Sequence, residues 1–212
     1  MWKTSPFSPA RRMPDRAEYW EQRYQEAQIG WDLQGPTPAL HAAAEAFPKD
    51  ARILIPGCGM GWDGEALHRQ GFTQIYLSDW APSAKAHFLE RVPDFLEDRF
   101  ITGDFFTWAA NEAVHGQFDY ILECTFYCAI PPAMRADYAQ AMAHLLRPGG
   151  QLLGLLFTFP LTEQGPPFGG SLEEYTLRFG APFRLDRLGP SPLSIAPRAE
   201  KEVFFCATLH TS

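Results

Sequence analysis

The chain has 212 residues, 46% of them hydrophobic and 20% charged, with a formal net charge of −7 at pH 7. That length can bury one good core, so one domain is the natural count. The acidic balance argues against a nucleic-acid groove, and no apolar run approaches the ~20 residues that a membrane span needs.

The N-terminus, Met-Trp-Lys-Thr-Ser-Pro, lacks the apolar core of a secretory signal. Cysteines at 58, 124, 128 and 206 show no close CxxC pairing, which predicts reduced thiols in a cytoplasmic protein. Arg11-Arg12 reads as an isolated solvated pair. Residues 15–28 read as a helix with Trp20, Tyr24 and Ala27 on one face, stopped at Gly30. Gly35-Pro36-Thr37-Pro38 is a turn, and residues 39–46 resume as helix. Ile53-Leu54-Ile55 is a first strand feeding Gly57-Cys58-Gly59-Met60-Gly61, and a helix-capable stretch covers 62–70. A strand, a glycine turn and a helix in that order let backbone approach a ligand closely, with the helix N-terminus behind. Read alone, the glycine pattern also suits a plain tight turn.

A second apolar run, 75–77, ends at Asp79, where an acid can accept hydrogen bonds from both hydroxyls of a ribose. Together the two runs read as a nucleoside-binding βαβ unit. Residues 84–90 are helical until Pro93 interrupts. Phe100-Ile101 is a short strand before Gly103-Asp104-Phe105-Phe106, and 118–122 a fourth strand. Residues 132–146 read as a helix closed by Pro148-Gly149-Gly150, and 152–159 as a continuous apolar strand at the centre of a parallel sheet. Residues 160–170 form a proline- and glycine-rich loop. Residues 183–188 and 203–209 look like two closing strands without a helix between them, hence an antiparallel pair at one sheet edge. The expected fold is α/β, with a seven-stranded mostly parallel sheet carrying one antiparallel strand.

Gly59-Met60-Gly61-Trp62-Asp63-Gly64 also spells the GxGxxG of a nicotinamide dehydrogenase. Three features point elsewhere. The run from Gly57 starts directly at the strand end, Gly103-Asp104-Phe105-Phe106 offers an acid and aromatic surface for an adenine, and Leu146-Arg147-Pro148-Gly149-Gly150 precedes the fifth strand. In these the chain resembles the class I S-adenosylmethionine-dependent methyltransferases, whose Rossmann-like three-layer sandwich the resemblance implies. One departure is Pro56, which stands where many members carry an acid before the glycines.

The resemblance narrows over residues 17–170. Tyr19-Trp20-Glu21-Gln22-Arg23-Tyr24, Ile29-Gly30-Trp31-Asp32-Leu33, Thr37-Pro38, Phe126-Tyr127-Cys128-Ala129-Ile130-Pro131 with Met134-Arg135, and Gly165-Pro166-Pro167-Phe168 are similar to the thiopurine S-methyltransferase superfamily. The Trp-Asp-Leu and Cys-Ala-Ile phrases resemble its thiol and halide ion methyltransferase branch. The resemblance implies S-adenosyl-L-methionine as cofactor and a single domain, 1–212, with 1–47 as an N-terminal helical lid. It implies that Trp20, Tyr24 and Trp31 close over the cofactor, that Gly57 and Gly59 lie against its methionine portion, and that Asp79 holds its ribose. Trp80, Asp104 and Phe105 would face the adenine. Glu123 and Cys124 would border the methyl group, and Trp31, Tyr127, Phe157 and Phe168 would wall the acceptor pocket. Phe157 falls where that branch carries Tyr, which weighs against halide preference.

An aromatic face near a sulfonium gains about 0.5–2 kcal/mol and excludes water. An already activated methyl group asks only for an aligned nucleophile in a dry site, so no catalytic acid or base is nominated. Cys58 and Cys128 read as small buried thiols. The histidines at 41, 68, 87, 115, 144 and 210 lack metal-ligand spacing, so no metal is expected. The expected function is transfer of a methyl group to a small soft nucleophile: a thiol, hydrosulfide, halide or chalcogen species. Two alternatives stay open, a thiopurine or small-aromatic S-methyltransferase and a nucleoside-binding module without catalysis. A small molecule is the expected partner, with no nucleic acid and no membrane.

Overall fold

The computed structural model describes residues 16–211. Asp15, the Arg11-Arg12 pair and residues 1–15 of the expected lid lie outside them. Two short helices come first, α1 (Ala17–Gln25) and α2 (Pro38–Ala44). Strand β1 (Arg52–Pro56), α3 (Trp62–Arg69), β2 (Gln74–Asp79), α4 (Pro82–Arg91) and β3 (Phe100–Thr102) follow. Next are α5 (Phe105–Ala109), β4 (Phe118–Cys124), α6 (Arg135–Leu145) and β5 (Leu146–Phe157). Helix α7 (Leu172–Phe179), β6 (Phe183–Pro190) and β7 (Glu202–Leu209) complete the described elements.

The strands form one sheet in the order β3-β2-β1-β4-β5-β7-β6. Strands β1 to β5 run parallel, and β7 runs antiparallel to both β5 and β6. The chain winds outward from β1 in one direction and, beginning with β4, in the other. The crevice at the carboxyl ends of β1 and β4 is therefore the topological switch point, where open α/β sheets take their ligands.

Side-chain alternation builds two cores, one on each face. Ile53 and Ile55 of β1 pack with Leu40, Leu67 and Phe88 from α2, α3 and α4. Leu54 points the other way, into a cluster with Tyr138 and Met142 of α6 and Phe179 of α7. Each fully buried Leu, Ile or Phe contributes about 1.5–3 kcal/mol through area removed from water. Among the described residues, no helix is long and apolar enough to cross a membrane.

The sheet matches its expectation, and several local readings change. Helix α1 stops at Gln25 because Ala27 takes a left-handed conformation, φ 53°, three residues before Gly30. Strand β5 starts at Leu146, which pairs with Phe118; the register then shifts across Pro148-Gly149-Gly150, so that run is an irregularity inside a strand. Strand β5 is parallel to β4 alone, and its two-sided burial comes from helices on both faces. Helices α5 and α7 were not foreseen. The expected lid also reaches into the core, since Tyr24, Leu40 and Ala44 are buried in the first cluster.

Candidate functional site

A cavity of about 370 Å³ opens at the switch point, within the range of small-molecule sites. Its floor is the turn after β1. Gly57 has φ +57°, and a Cβ there would meet the Phe126 ring at 2.6 Å, so only glycine lets that ring close the cavity wall. Gly59, at φ +60°, faces the Trp31 indole and the Tyr24 hydroxyl. The Cys58 N–H donates to the Ser78 carbonyl at 2.9 Å, fixing the turn on the end of β2.

Asp79 closes β2 and links both sides of this floor. Its Oδ2 accepts from the Gly59 N–H at 3.0 Å and its Oδ1 from the Ala81 N–H at 2.9 Å. The Gly59 N–H is thus spent on Asp79, and the glycine turn shapes space more than it donates to a ligand. Burial raises the Asp79 carboxyl to about 6, against the lowering effect of those backbone hydrogen bonds. Asp104 caps α5, accepting from the Phe106 N–H at 3.0 Å and the Thr107 hydroxyl at 2.7 Å. It lines the cavity with Trp80, Phe105 and Phe106.

The N-terminal segment forms the roof. Trp31 packs edge-on against Trp20 and Tyr24, with ring centroids 5.4 and 5.8 Å away. The segment is anchored to helix N-termini. Ser83 donates its hydroxyl to Glu21 at 2.6 Å, Trp62 donates its indole N–H to Asp32 at 2.6 Å, and Thr37 donates its N–H to Asp63 at 2.7 Å. Arg23 lines the cavity too, with a buried Nε that has no hydrogen-bond partner among the described residues.

The far end is walled by the turn after β4, the end of β5 and the loops beyond. Thr125, Phe126, Cys128, Phe157, Pro166, Pro167 and Arg198 all contribute. Thr125 has φ 67°, a costly conformation for a β-branched residue. Glu123 holds the turn that follows: one carboxylate oxygen accepts from the Phe126 and Tyr127 N–H groups at 2.8 and 2.9 Å, and the other from the Tyr138 hydroxyl. Burial raises Glu123 to about 7. Burial likewise lifts Cys58 and Cys128 well above the ordinary thiol range and Cys124 to about 12, so all three are neutral thiols.

Arg198 is the most telling group here. It is 9% exposed, donates from Nη2 to the Trp31 carbonyl at 3.0 Å, and lies 5.6 Å from the centre of the Phe157 ring. Glu202 senses its charge, yet burial raises that carboxyl. Among the described residues, no carboxylate stands in ion-pair contact with Arg198. A buried cation lacking a paired anion favours an anionic ligand.

Of the expected residues, Trp20, Tyr24, Trp31, Gly57, Gly59, Asp79, Trp80, Asp104, Phe105 and Phe157 come together on this cavity. Four do not line it. The Glu123 carboxylate is turned into the turn behind the wall, Tyr127 donates its hydroxyl to Glu174 at 2.8 Å, and Cys124 and Phe168 pack one layer back. Arg23, Ser78, Phe126, Cys128 and Arg198 line it unforeseen. Phe126 and Cys128 sat inside a recognised motif, whereas Arg198 carried no local signal. Among the described residues, no cluster of His, Cys, Asp and Glu is placed to hold a metal.

Comparison with known proteins converges on one family. The family model described as thiopurine S-methyltransferase matches residues 15–203. A probable thiol methyltransferase 2 of Arabidopsis thaliana is 34% identical over 159 residues, covering 74% of this chain and 69% of that protein. A thiocyanate methyltransferase 1 of Brassica oleracea is 30% identical over 203 residues, covering 93% and 88%. A thiopurine S-methyltransferase of Vibrio parahaemolyticus is 30% identical over 177 residues, covering 74% and 78%. Among solved structures, the 1,6-didemethyltoxoflavin-N1-methyltransferase of Burkholderia thailandensis superposes with a TM-score of 0.70 at 17% identity, over 92% of this chain and 87% of that one. At that identity the likeness concerns the fold.

Proposed function

The chain belongs to the thiopurine S-methyltransferase family and is an S-adenosylmethionine-dependent methyltransferase; within that family we propose that it methylates a small soft nucleophile taken up as an anion. A thiolate or hydrosulfide fits best, with thiocyanate, halide or a related chalcogen anion in the same class. The observation that carries this reading is Arg198, a buried cation set among Trp31, Phe157 and neutral thiols at the far end of the cavity.

The residues present suit the cofactor. Gly57 and Gly59 bring bare backbone to the floor, Asp79 and Asp104 supply acceptors for hydroxyl and amino groups, and Arg23, with no carboxylate partner among the described residues, would meet the methionine carboxylate. Asp79 would accept from the ribose hydroxyls, and Trp80, Asp104 and Phe105 would surround the adenine. Trp20, Tyr24 and Trp31 would cover the sulfonium, a favourable contact for aromatic faces. When bound, S-adenosylmethionine supplies a methyl group already activated on sulfur.

The protein's own work is then alignment, desolvation and charge. Arg198 draws the acceptor anion toward the cavity end, Phe157 and Trp31 strip its water, and the Glu123-braced turn fixes the wall at Thr125 and Phe126. Alignment of this kind replaces a bimolecular encounter and is worth several kcal/mol. No base is required for an anion, and a thiol near pKa 8.5 is about a few per cent ionised at pH 7. A thiopurine or small aromatic thiol is the second reading, favoured by the flat walls at Trp31, Phe126 and Phe157. We further place the enzyme in the cytoplasm as one domain with residues 1–47 as its lid; four free cysteines suit a reducing compartment.

Calorimetry with S-adenosylhomocysteine, followed by turnover with hydrosulfide, iodide, thiocyanate, thiophenol, a thiopurine, phenol and aniline, tests the proposal. Micromolar binding and faster reaction of the soft acceptors are expected. An oxygen or nitrogen acceptor outpacing all of them defeats it.

A further inference from the structure

The loop after β5 is fastened from behind by side chains that never reach the cavity. Arg135, the first residue of α6, is 1% exposed. Its Nη1 donates to both carboxylate oxygens of Glu174, at 2.9 and 3.0 Å. Its Nη2 donates to the carbonyls of Gly169 at 2.9 Å and Phe168 at 3.4 Å. The guanidinium lies 4.5 Å over the Tyr127 ring, and the Tyr127 hydroxyl donates to the same Glu174 at 2.8 Å. The Phe168 N–H donates to the Cys128 carbonyl at 2.7 Å, which ties the loop to the turn after β4 as well.

Each element joined this way carries an acceptor-wall residue close by. Pro166 and Pro167 precede Phe168, Met134 precedes Arg135, and Cys128 follows Tyr127; all four line the cavity. An ion pair with one buried partner is a costly way to hold a loop, and apolar packing of equal volume often holds as firmly. A guanidinium fork supplies what apolar packing lacks, fixed directions and spacings to two carbonyls and one carboxylate.

We infer that Arg135 is a positioning residue that sets the width of the acceptor end, and with it the choice between small and bulky acceptors. The inference rests on the acceptor assignment made above. In Arg135→Met the acceptor KM should rise about tenfold or more, and the ratio of kcat/KM for hydrosulfide over thiophenol should fall by about as much. The affinity for S-adenosylhomocysteine should stay within about twofold, because the floor at Gly57, Gly59 and Asp79 makes no hydrogen bond to this group. Arg135→Lys keeps the charge without the fork; it should recover thermal stability while leaving the ratio low. An unchanged KM and ratio in both variants, or a parallel loss of S-adenosylhomocysteine affinity, overturns the inference. If the wild-type enzyme turns over no soft acceptor, the acceptor assignment fails, and hydrogen exchange still decides the clamp. Arg135→Met should speed amide exchange over residues 158–171 and leave 52–79 unaltered; equal exchange throughout overturns it.

Discussion

The two ends of the cavity are built by different means. The end proposed for the cofactor is made by strand ends and the short turns directly after them: Gly57 and Gly59 after β1, Asp79 closing β2, Asp104 after β3. The end proposed for the acceptor is assembled from a turn after β4, a loop after β5 and Arg198 between β6 and β7, so its parts are far apart in the chain. Strand ends and the acids beside them, bonded to adjoining turns, fix the first end, while side-chain hydrogen bonds between loops far apart in the chain fix the second. The first can therefore stay constant while the second is retuned by single residues, as suits enzymes that share a cofactor and differ in acceptor.

Substitutions at the two ends should separate cleanly. The largest effect is expected from Arg198→Met, which removes the cation proposed to face the acceptor. The kcat/KM for anionic acceptors should fall by roughly 10²-fold or more, about the 1.5–3 kcal/mol of a charged hydrogen bond plus lost alignment. S-adenosylhomocysteine affinity, read by calorimetry, should change only a few-fold. Loss of both together would mean that the ends are not independent. Asp79→Ala should do the reverse, weakening S-adenosylhomocysteine binding by about 1.5–3 kcal/mol with little change in preference among acceptors. Because the carboxyl is raised to about 6 and must be ionised to accept from both hydroxyls, wild-type affinity should decline as pH falls below about 6. Flat affinity between pH 7 and 5 would remove Asp79 from that role.

Trp31 joins the ends, since it faces Gly59 and its carbonyl accepts from Arg198. Trp31→Ala should lower cofactor affinity and turnover together while the fold persists, which circular dichroism beside kinetics will show. The smallest effect concerns the braced turn. Asp79 and Glu123 hold their protons more tightly folded than unfolded, so their contribution to stability is complete below about pH 4 and is lost as pH rises through about 6 and 7. Glu123→Gln should flatten the upper part of that decline in urea titrations; an unaltered pH profile would show that folding leaves the proton affinity of Glu123 unchanged.

The same contrast explains what the sequence could disclose. Periodicity and glycine position supplied the strand order's raw material and the strand-end residues that converge on the cavity floor, because a strand end and the residue after it fix one another locally. The foreseen aromatics Trp20, Tyr24 and Trp31 also converge. Glu123 and Tyr127 were placed one layer too near the cavity, since a motif does not say which way a side chain turns once Thr125 takes a left-handed φ. Arg198 sits in a loop with no pattern around it, and the pairing of β7 with β5, which sets Glu202 opposite Phe157, brings it to that ring. Helix α7 did have a signal, the Ser171-x-x-Glu174 cap followed by Tyr175 and Phe179, which the proline-rich stretch before it obscured.

The most direct test of an acceptor taken as an anion, without a protein base, is the pH dependence of kcat/KM for two thiols of different acidity. With an alkyl thiol the rate should rise with unit slope and level near that thiol's own pKa, about 8.5. With an acidic aryl thiol the plateau should move down to the aryl thiol's pKa. A break that stays at one pH for both thiols would reveal an ionising group of the protein acting as base, and would contradict the account.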